Sequence, residues 1–181
     1  MPLLDLLRDR LAGRVLDPAP LPPETAAELV EAARWTPSCR NLQPWRFHAV
    51  ASAHALTRVR AALSPGNRPW TDRAPLLLVA AVRTADDCVT DDGRAYADFD
   101  LGMAVTNVLH AATERGLLCR PMAGFDPAAV RAALGLADDV RALVVLAVGR
   151  PGDPASVDPE IASRGVGPRT RKPLDQLLVV H

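Results

Sequence analysis

The chain has no excess of charge of either sign, with 21 basic and 21 acidic residues. That balance argues against nucleic acid or an acidic membrane as a partner, since either would favour a basic excess. Cysteine is scarce: Cys39, Cys88 and Cys119 form no CxxC pair and leave an odd count. Metal-ligand spacing and a disulfide framework are both disfavoured, and reduced thiols in a cytosol are the simple expectation. No apolar run reaches the ~18–20 residues that cross a bilayer. Asp5, Arg8, Asp9 and Arg10 interrupt the first ten residues where a signal peptide would carry its apolar core. The expectation is a soluble, cytoplasmic protein.

Several catalytic templates are also missing. No GxGxxG follows a strand, and there is no GxxxxGK[ST], HExxH or GxSxG. His48, His54, His110 and His181 sit in unrelated contexts, as surface or satisfied core histidines do. An enzyme made from this chain would take its chemistry from a cofactor.

What is present is material for a core. At 181 residues, 49% of them apolar, the chain fits one domain over 1–181, able to bury roughly 70% of its unfolded surface. Leucines at 3, 4, 7 and 11 give residues 3–12 a helical spacing, broken by the proline-rich run 17–23. A second helix runs from Pro23 or Glu24 to Trp35, followed by the turn-like Thr36–Asn41 and a strand over Trp45–Ala51. His54–Leu63 reads as a helix and Pro75–Val82 as a strand covered on both faces. Residues 94–116 make the longest helix, apolar nearly all round, so part of its cover is expected from a second subunit. Pro127–Leu134 is a short helix, Ala142–Gly149 a buried strand, and 151–173 irregular. Leu177–Val180 is a short strand that ends in its own sheet or a partner's. The order implies α+β or α/β.

The run Trp35-Thr36-Pro37-Ser38-Cys39-Arg40-Asn41-Leu42-Gln43-Pro44-Trp45-Arg46-Phe47 resembles a signature of the nitroreductase family, matching at Pro37, Ser38, Asn41, Gln43, Pro44, Trp45 and Phe47. Further segments resemble the family in the same order: Gly66-Asn67-Arg68-Pro69-Trp70 before Ala74-Pro75, the helix closed by Gly116-Leu117, Pro121–Asp126, Gly149, and Arg169-Thr170-Arg171-Lys172-Pro173-Leu174. The resemblance implies an α+β fold with a central, mostly antiparallel sheet flanked by helices in an intertwined homodimer. It implies an FMN cofactor at the subunit interface, NADH or NADPH as electron donor, and planar acceptors such as nitroaromatics or quinones, taken in turn by a ping-pong mechanism.

Residue by residue, the resemblance assigns Arg10, Arg169 and Arg171 to the FMN phosphate, which guanidinium groups grip through paired N–H donors. Arg14 falls beside the flavin N1 and C2 carbonyl, and Asn67 on the pyrimidine edge, to which its amide offers a donor and an acceptor. Ala123 and Gly124 would present backbone N–H groups near N5 and O4. Pro37, Ser38, Cys39 and Asn41 would reach the flavin from the neighbouring subunit. No side chain is assigned as a general acid or base.

Two departures stand out. Leu11-Ala12 replaces a basic residue followed by serine, removing a hydroxyl and often a charge at the phosphate, a loss of about 1.5–3 kcal/mol if nothing replaces it. Cys39 stands where a small hydroxyl residue is frequent. The same residues also fit two other readings: a specialised flavin enzyme acting on one metabolite, and a flavin-binding protein without turnover.

Overall fold

The structure, a computed structural model, describes residues 2–164 and 169–181. Four strands, β1 (Trp45–Val50), β2 (Leu76–Arg83), β3 (Leu118–Met122) and β4 (Val140–Gly149), form one sheet in the order β1-β2-β4-β3. Every neighbouring pair is antiparallel, as the resemblance implies. The helices are α1 (Leu3–Asp9), α2 (Thr25–Arg34), α3 (Ala53–Ala61), α4 (Arg68–Thr71), α5 (Ala97–Glu114), α6 (Pro127–Leu134) and α7 (Pro159–Ser163).

The side-chain period of two explains why β2 lies at the centre. Leu76, Leu78, Ala80 and Val82 face one way and pack with α2 and α5 around Leu29, Leu101, Ala104 and Val108. Leu77 and Val79 face the other way, into a layer with Val59, Trp70 and Val130 from α3, α4 and α6. Both faces are covered, which is why this strand reads as an unbroken apolar run. Each fully buried leucine contributes about 1.5–3 kcal/mol over an exposed one. Ala80 pairs with Val144 but Ala81 with Ala142, so one extra residue bulges from β4 there.

Local signals fix the shorter elements. Asp126 caps α6 by accepting from the N–H groups of Ala128 and Ala129 at 2.9 and 3.1 Å, Pro127 takes the first turn, and Gly135 ends the helix at φ 63°. The long helix starts at Ala97, later than the apolar pattern suggests. Asp92 accepts from Thr90 and Arg94, and Val89 bridges Ala95, so the preceding segment is held as a turn.

Three expectations change. Strand β3 is hidden in sequence by Arg120-Pro121; being an edge strand, it tolerates a proline without an N–H. The segment 151–173 carries a short helix, α7, capped by Asp158 through the Glu160 N–H. Leu177–Val180 forms no strand in its own sheet and is exposed. The leucines of α1 are exposed too: Leu3, Leu4, Leu7 and the following Leu11 all keep more than a third of their surface open.

Candidate functional site

After α1 the chain turns extended and lies along the end of the β4 ladder. Asp17 N–H donates to the Arg150 carbonyl at 2.9 Å, Gly152 N–H to the Val15 carbonyl at 3.0 Å, and Leu16 bridges Pro151. Two glycines allow this approach. A Cβ on Gly152 would stand 2.7 Å from the Leu16 backbone, and one on Gly13 would meet Leu118 Cδ1 at 2.8 Å. The segment 12–14 is therefore pressed against β3.

That contact brings two guanidinium groups together. Arg14 has its Nε buried without a hydrogen-bond partner. Arg120, from β3, donates through Nη1 to the Ala12 carbonyl and lies over the indole of Trp70, with its Cζ 5.5 Å from the ring centroid. Burial, and then the charge of Arg14, hold the Arg120 pKa below its ordinary value. Among the described residues, Arg10, Arg14, Arg120, Arg169 and Arg171 form no ion pair, while most other arginines do. A cleft of about 760 Å³ opens beside Arg14, lined by Leu11, Gly13, Val15 and Leu118 on one side and by Pro151, Val157 and Ala162 on the other.

Next to Trp70, the turn after β3 meets the loop before α4. The Gly124 carbonyl accepts from Ser64 N–H at 2.9 Å and from Asn67 Nδ2 at 3.0 Å. A Cβ on Gly124 would lie 2.6 Å from Ser64 Oγ and 2.9 Å from Asn67 Nδ2, so a side chain there would displace Ser64 or the Asn67 amide. Asn67, Ala123 and Gly124 thus meet as one local group, with the Asn67 amide nitrogen already engaged.

The arginines at the chain's two ends also meet, though by a different residue than expected. Arg8 and Leu7 of α1 line a cleft of about 340 Å³ with Arg169 and Arg171. Arg10 is the C-cap of α1 and does not line this cleft; its charge acts instead on His110 and Cys119. The family pattern does not single out Arg8, which lies in the last turn of α1 two residues before the C-cap Arg10.

The loop before β1 is tightly folded. Arg40, Asn41 and Gln43 all take positive φ, at 51°, 57° and 49°. Ser38 Oγ accepts from Gln43 N–H at 3.0 Å, Asn41 Oδ1 accepts from Gln43 Nε2 at 3.2 Å, and the Cys39 N–H donates to buried Asp100 at 3.0 Å. Pro37 is exposed beside them. The expectation of reduced thiols fails here: Cys39 and Cys88 are joined by a disulfide, leaving Cys119 as the free thiol. The cause is topological. Antiparallel pairing sets Trp45 opposite Val82, so the loop entering β1 runs beside the loop leaving β2. Cys39 consequently presents no thiol for a cofactor.

Strand β1, which this loop enters, and β3, which carries Arg120, are the two edges of the sheet. Three inter-strand spacings separate them, about 14 Å at ~4.8 Å each.

Comparison with known proteins agrees with this architecture. The sequence model of the nitroreductase family matches residues 7–68 and 60–150. A provisionally named NADH dehydrogenase/NAD(P)H nitroreductase of Leptothrix cholodnii is 31% identical over 160 residues, 77% of this chain and 80% of that protein. An uncharacterized 15.4 kDa protein of Mycolicibacterium smegmatis is 36% identical over 129 residues, 71% of this chain and 84% of that protein. The solved structure of an oxidoreductase containing FMN superposes with a TM-score of 0.86 at 27% identity, covering 99% of this chain and 91% of that one. A nitroreductase family protein from Clostridium difficile superposes at 0.82 with 22% identity, covering 99% of this chain and 98% of that one, which bears on the fold alone. On the extent of these matches, the chain belongs to the nitroreductase family of oxidoreductases.

Proposed function

We propose that the protein is an FMN-dependent oxidoreductase that takes electrons from NADH or NADPH and delivers them to planar, electron-poor acceptors such as nitroaromatics or quinones. The observation that carries this reading is Arg14, its Nε buried without a partner at the wall of an apolar cleft, with the charge of Arg120 close by and neither guanidinium paired with a carboxylate among the described residues. Like charges held close together and half withdrawn from water favour an anion beside them. The cleft's volume of about 760 Å³ suits a cofactor-sized ligand, within the ~300–1,000 Å³ of small-molecule sites.

Bound FMN would supply the redox chemistry, accepting hydride from a nicotinamide and passing electrons on. The chain's own residues bind and orient. Arg169 and Arg171, with Arg10 or its neighbour Arg8, would hold the phosphate; Arg14 and the free Asn67 carbonyl oxygen would meet the pyrimidine edge; the Ala123-Gly124 turn would offer backbone N–H groups. Apolar Leu11, Val15 and Leu118 would keep water from the ring. Pro37, Ser38, Cys39 and Asn41 lie at the far edge of the sheet, so they could reach the same ligand only from a second copy. The exposed leucines of α1 and the exposed tail 177–180 give such a homodimer apolar surface to bury. No helix among the described residues is long and apolar enough to cross a membrane, and the charge is balanced; a cytoplasmic enzyme would have to keep the Cys39–Cys88 bond in a reducing compartment.

The test is the visible spectrum of the purified protein with added FMN. A bound, perturbed flavin that bleaches anaerobically with NADH or NADPH supports the reading. Failure to take up FMN refutes it, and uptake without bleaching replaces it with a flavin-binding protein lacking turnover.

A further inference from the structure

Leucine and alanine at positions 11 and 12 offer no side-chain hydrogen bond and no charge to a ligand. The structure brings a guanidinium to that stretch from elsewhere. Arg120, 108 residues away, donates to the Ala12 carbonyl. The segment Ala12-Gly13-Arg14 is thereby held on β3 at adjoining points, by Arg120 at Ala12 and by the close packing of Gly13 on Leu118. Arg120 is itself fixed from behind by Trp70, which is 2% exposed. Its Nε is buried without a partner, like that of Arg14.

This arrangement costs free energy in the ligand-free protein. Two guanidinium groups repel, and each loses hydration. The stack on Trp70 offsets part of that cost, because the indole face is electron-rich. No carboxylate offsets the rest among the described residues.

We propose that Arg120 is a positioning residue of the flavin site, fixing the Ala12–Arg14 backbone and placing a second positive charge behind Arg14. The inference rests on the FMN reading above. Its two parts act differently on the two redox states. The backbone tether helps oxidised and reduced FMN alike. The charge favours the reduced ring, which gains negative charge, over the neutral oxidised ring. A unit charge near the ring, at an effective dielectric of ~20, changes that preference by about an order of magnitude. Arg120 thus brings a cation from β3 to the Ala12–Arg14 stretch.

The experiment compares wild type, Arg120→Gln and Arg120→Lys. FMN dissociation constants are read by flavin fluorescence, midpoint potentials by dye equilibration, and melting temperatures on the apo proteins. Gln retains an N–H donor and removes the charge; Lys retains the charge and removes the fork and the stack. Arg120→Gln should lose about tenfold more affinity for reduced than for oxidised FMN, a midpoint about 30 mV lower for a two-electron couple. Arg120→Lys should recover the reduced-to-oxidised ratio to within about threefold while binding both states more weakly. Equal weakening of both states in Gln, with no recovery in Lys, would overturn the electrostatic role and leave a mere prop. Unchanged affinity and potential in Gln would overturn the proposal altogether, while leaving FMN binding by wild type intact. If Arg120→Gln does not fold, Arg120→Lys decides: a retained ratio supports the proposal and a tenfold loss sinks it.

Discussion

Cys39 and Cys88, 49 residues apart in sequence, sit with their Cα atoms 5.9 Å apart and their sulfurs bonded. That separation lies within the usual range for a disulfide. The bond ties the loop entering β1 to the loop leaving β2. The third cysteine, Cys119, is buried on β3, where burial pushes its thiol up to about 12 despite the opposing charge of Arg10.

A thiol count follows. Native protein should react with an aromatic disulfide reagent at pH 8 to almost no extent, because Cys119 is both inaccessible and protonated. Unfolding without reductant should release one thiol per chain, and unfolding after reduction all three. Three thiols without reductant would show that the Cys39–Cys88 bond is absent from the purified protein.

The cleft lined by Arg8, Arg169 and Arg171 gives a second prediction. Since Arg8, Arg169 and Arg171 share it and Arg10 does not, Arg8→Ala and Arg171→Ala should each weaken FMN binding more than Arg10→Ala. Loss of one charge-assisted contact is worth about 1.5–3 kcal/mol, or ~10- to 150-fold in dissociation constant. Titration of apo protein with FMN measures all three. A larger effect from Arg10→Ala would restore the assignment drawn from the family pattern.

How much of this was legible beforehand depended on whether a feature is local. The buried strand β2 and the capped helix α6 announce themselves because every cue lies within ten residues: the run Leu76–Val82, and Asp126-Pro127 closed by Gly135. The flavin-type residues were legible only through a family pattern, since nothing in composition ties Asn67 to Gly124. Features made by distant strands meeting were not readable at all. The Cys39–Cys88 bond depends on the register of β1 with β2, and Arg120 reaches Ala12 only because β3 is an edge strand. Arg120-Pro121 even disguised that strand, because a charge and a missing N–H both argue against a sheet interior.

A helix cap sets the scale for stability. Asp126 accepts from two N–H groups of α6, so Asp126→Ala should cost about 1 kcal/mol. For a chain of this length that corresponds to roughly 2–4 °C in melting temperature. Calorimetry decides it; an unchanged melting temperature would mean solvent replaces the cap without loss.

Assembly can be probed where the apolar surface is uncovered. Leu4 and Leu178 are exposed in the protomer, yet large exposed apolar clusters mark interfaces. Sedimentation should give twice the chain mass for wild type. Leu4→Glu and Leu178→Glu should shift it toward the chain mass and lower FMN affinity at the same time, because half the proposed site comes from the second copy. A monomeric wild type that still retains FMN would remove the homodimer from the reading.

The last prediction concerns acid. Burial lowers the pKa of His48, whose Nε2 is enclosed without a partner, and burial together with the charge of Arg10 lowers that of His110. In the unfolded chain both titrate near ~6.5. Above that pH neither state binds the proton, so the histidines do not alter stability. As pH falls below ~6.5 the unfolded chain takes up protons that the folded chain refuses, so stability falls until the lowered folded values are reached. His48→Asn, which cannot titrate, should show a shallower decline in unfolding free energy between pH 6.5 and 5 than wild type. Urea titrations at several pH values give the slopes. Parallel slopes for the two proteins would mean that His48 is protonated as readily in the folded protein as in the unfolded one.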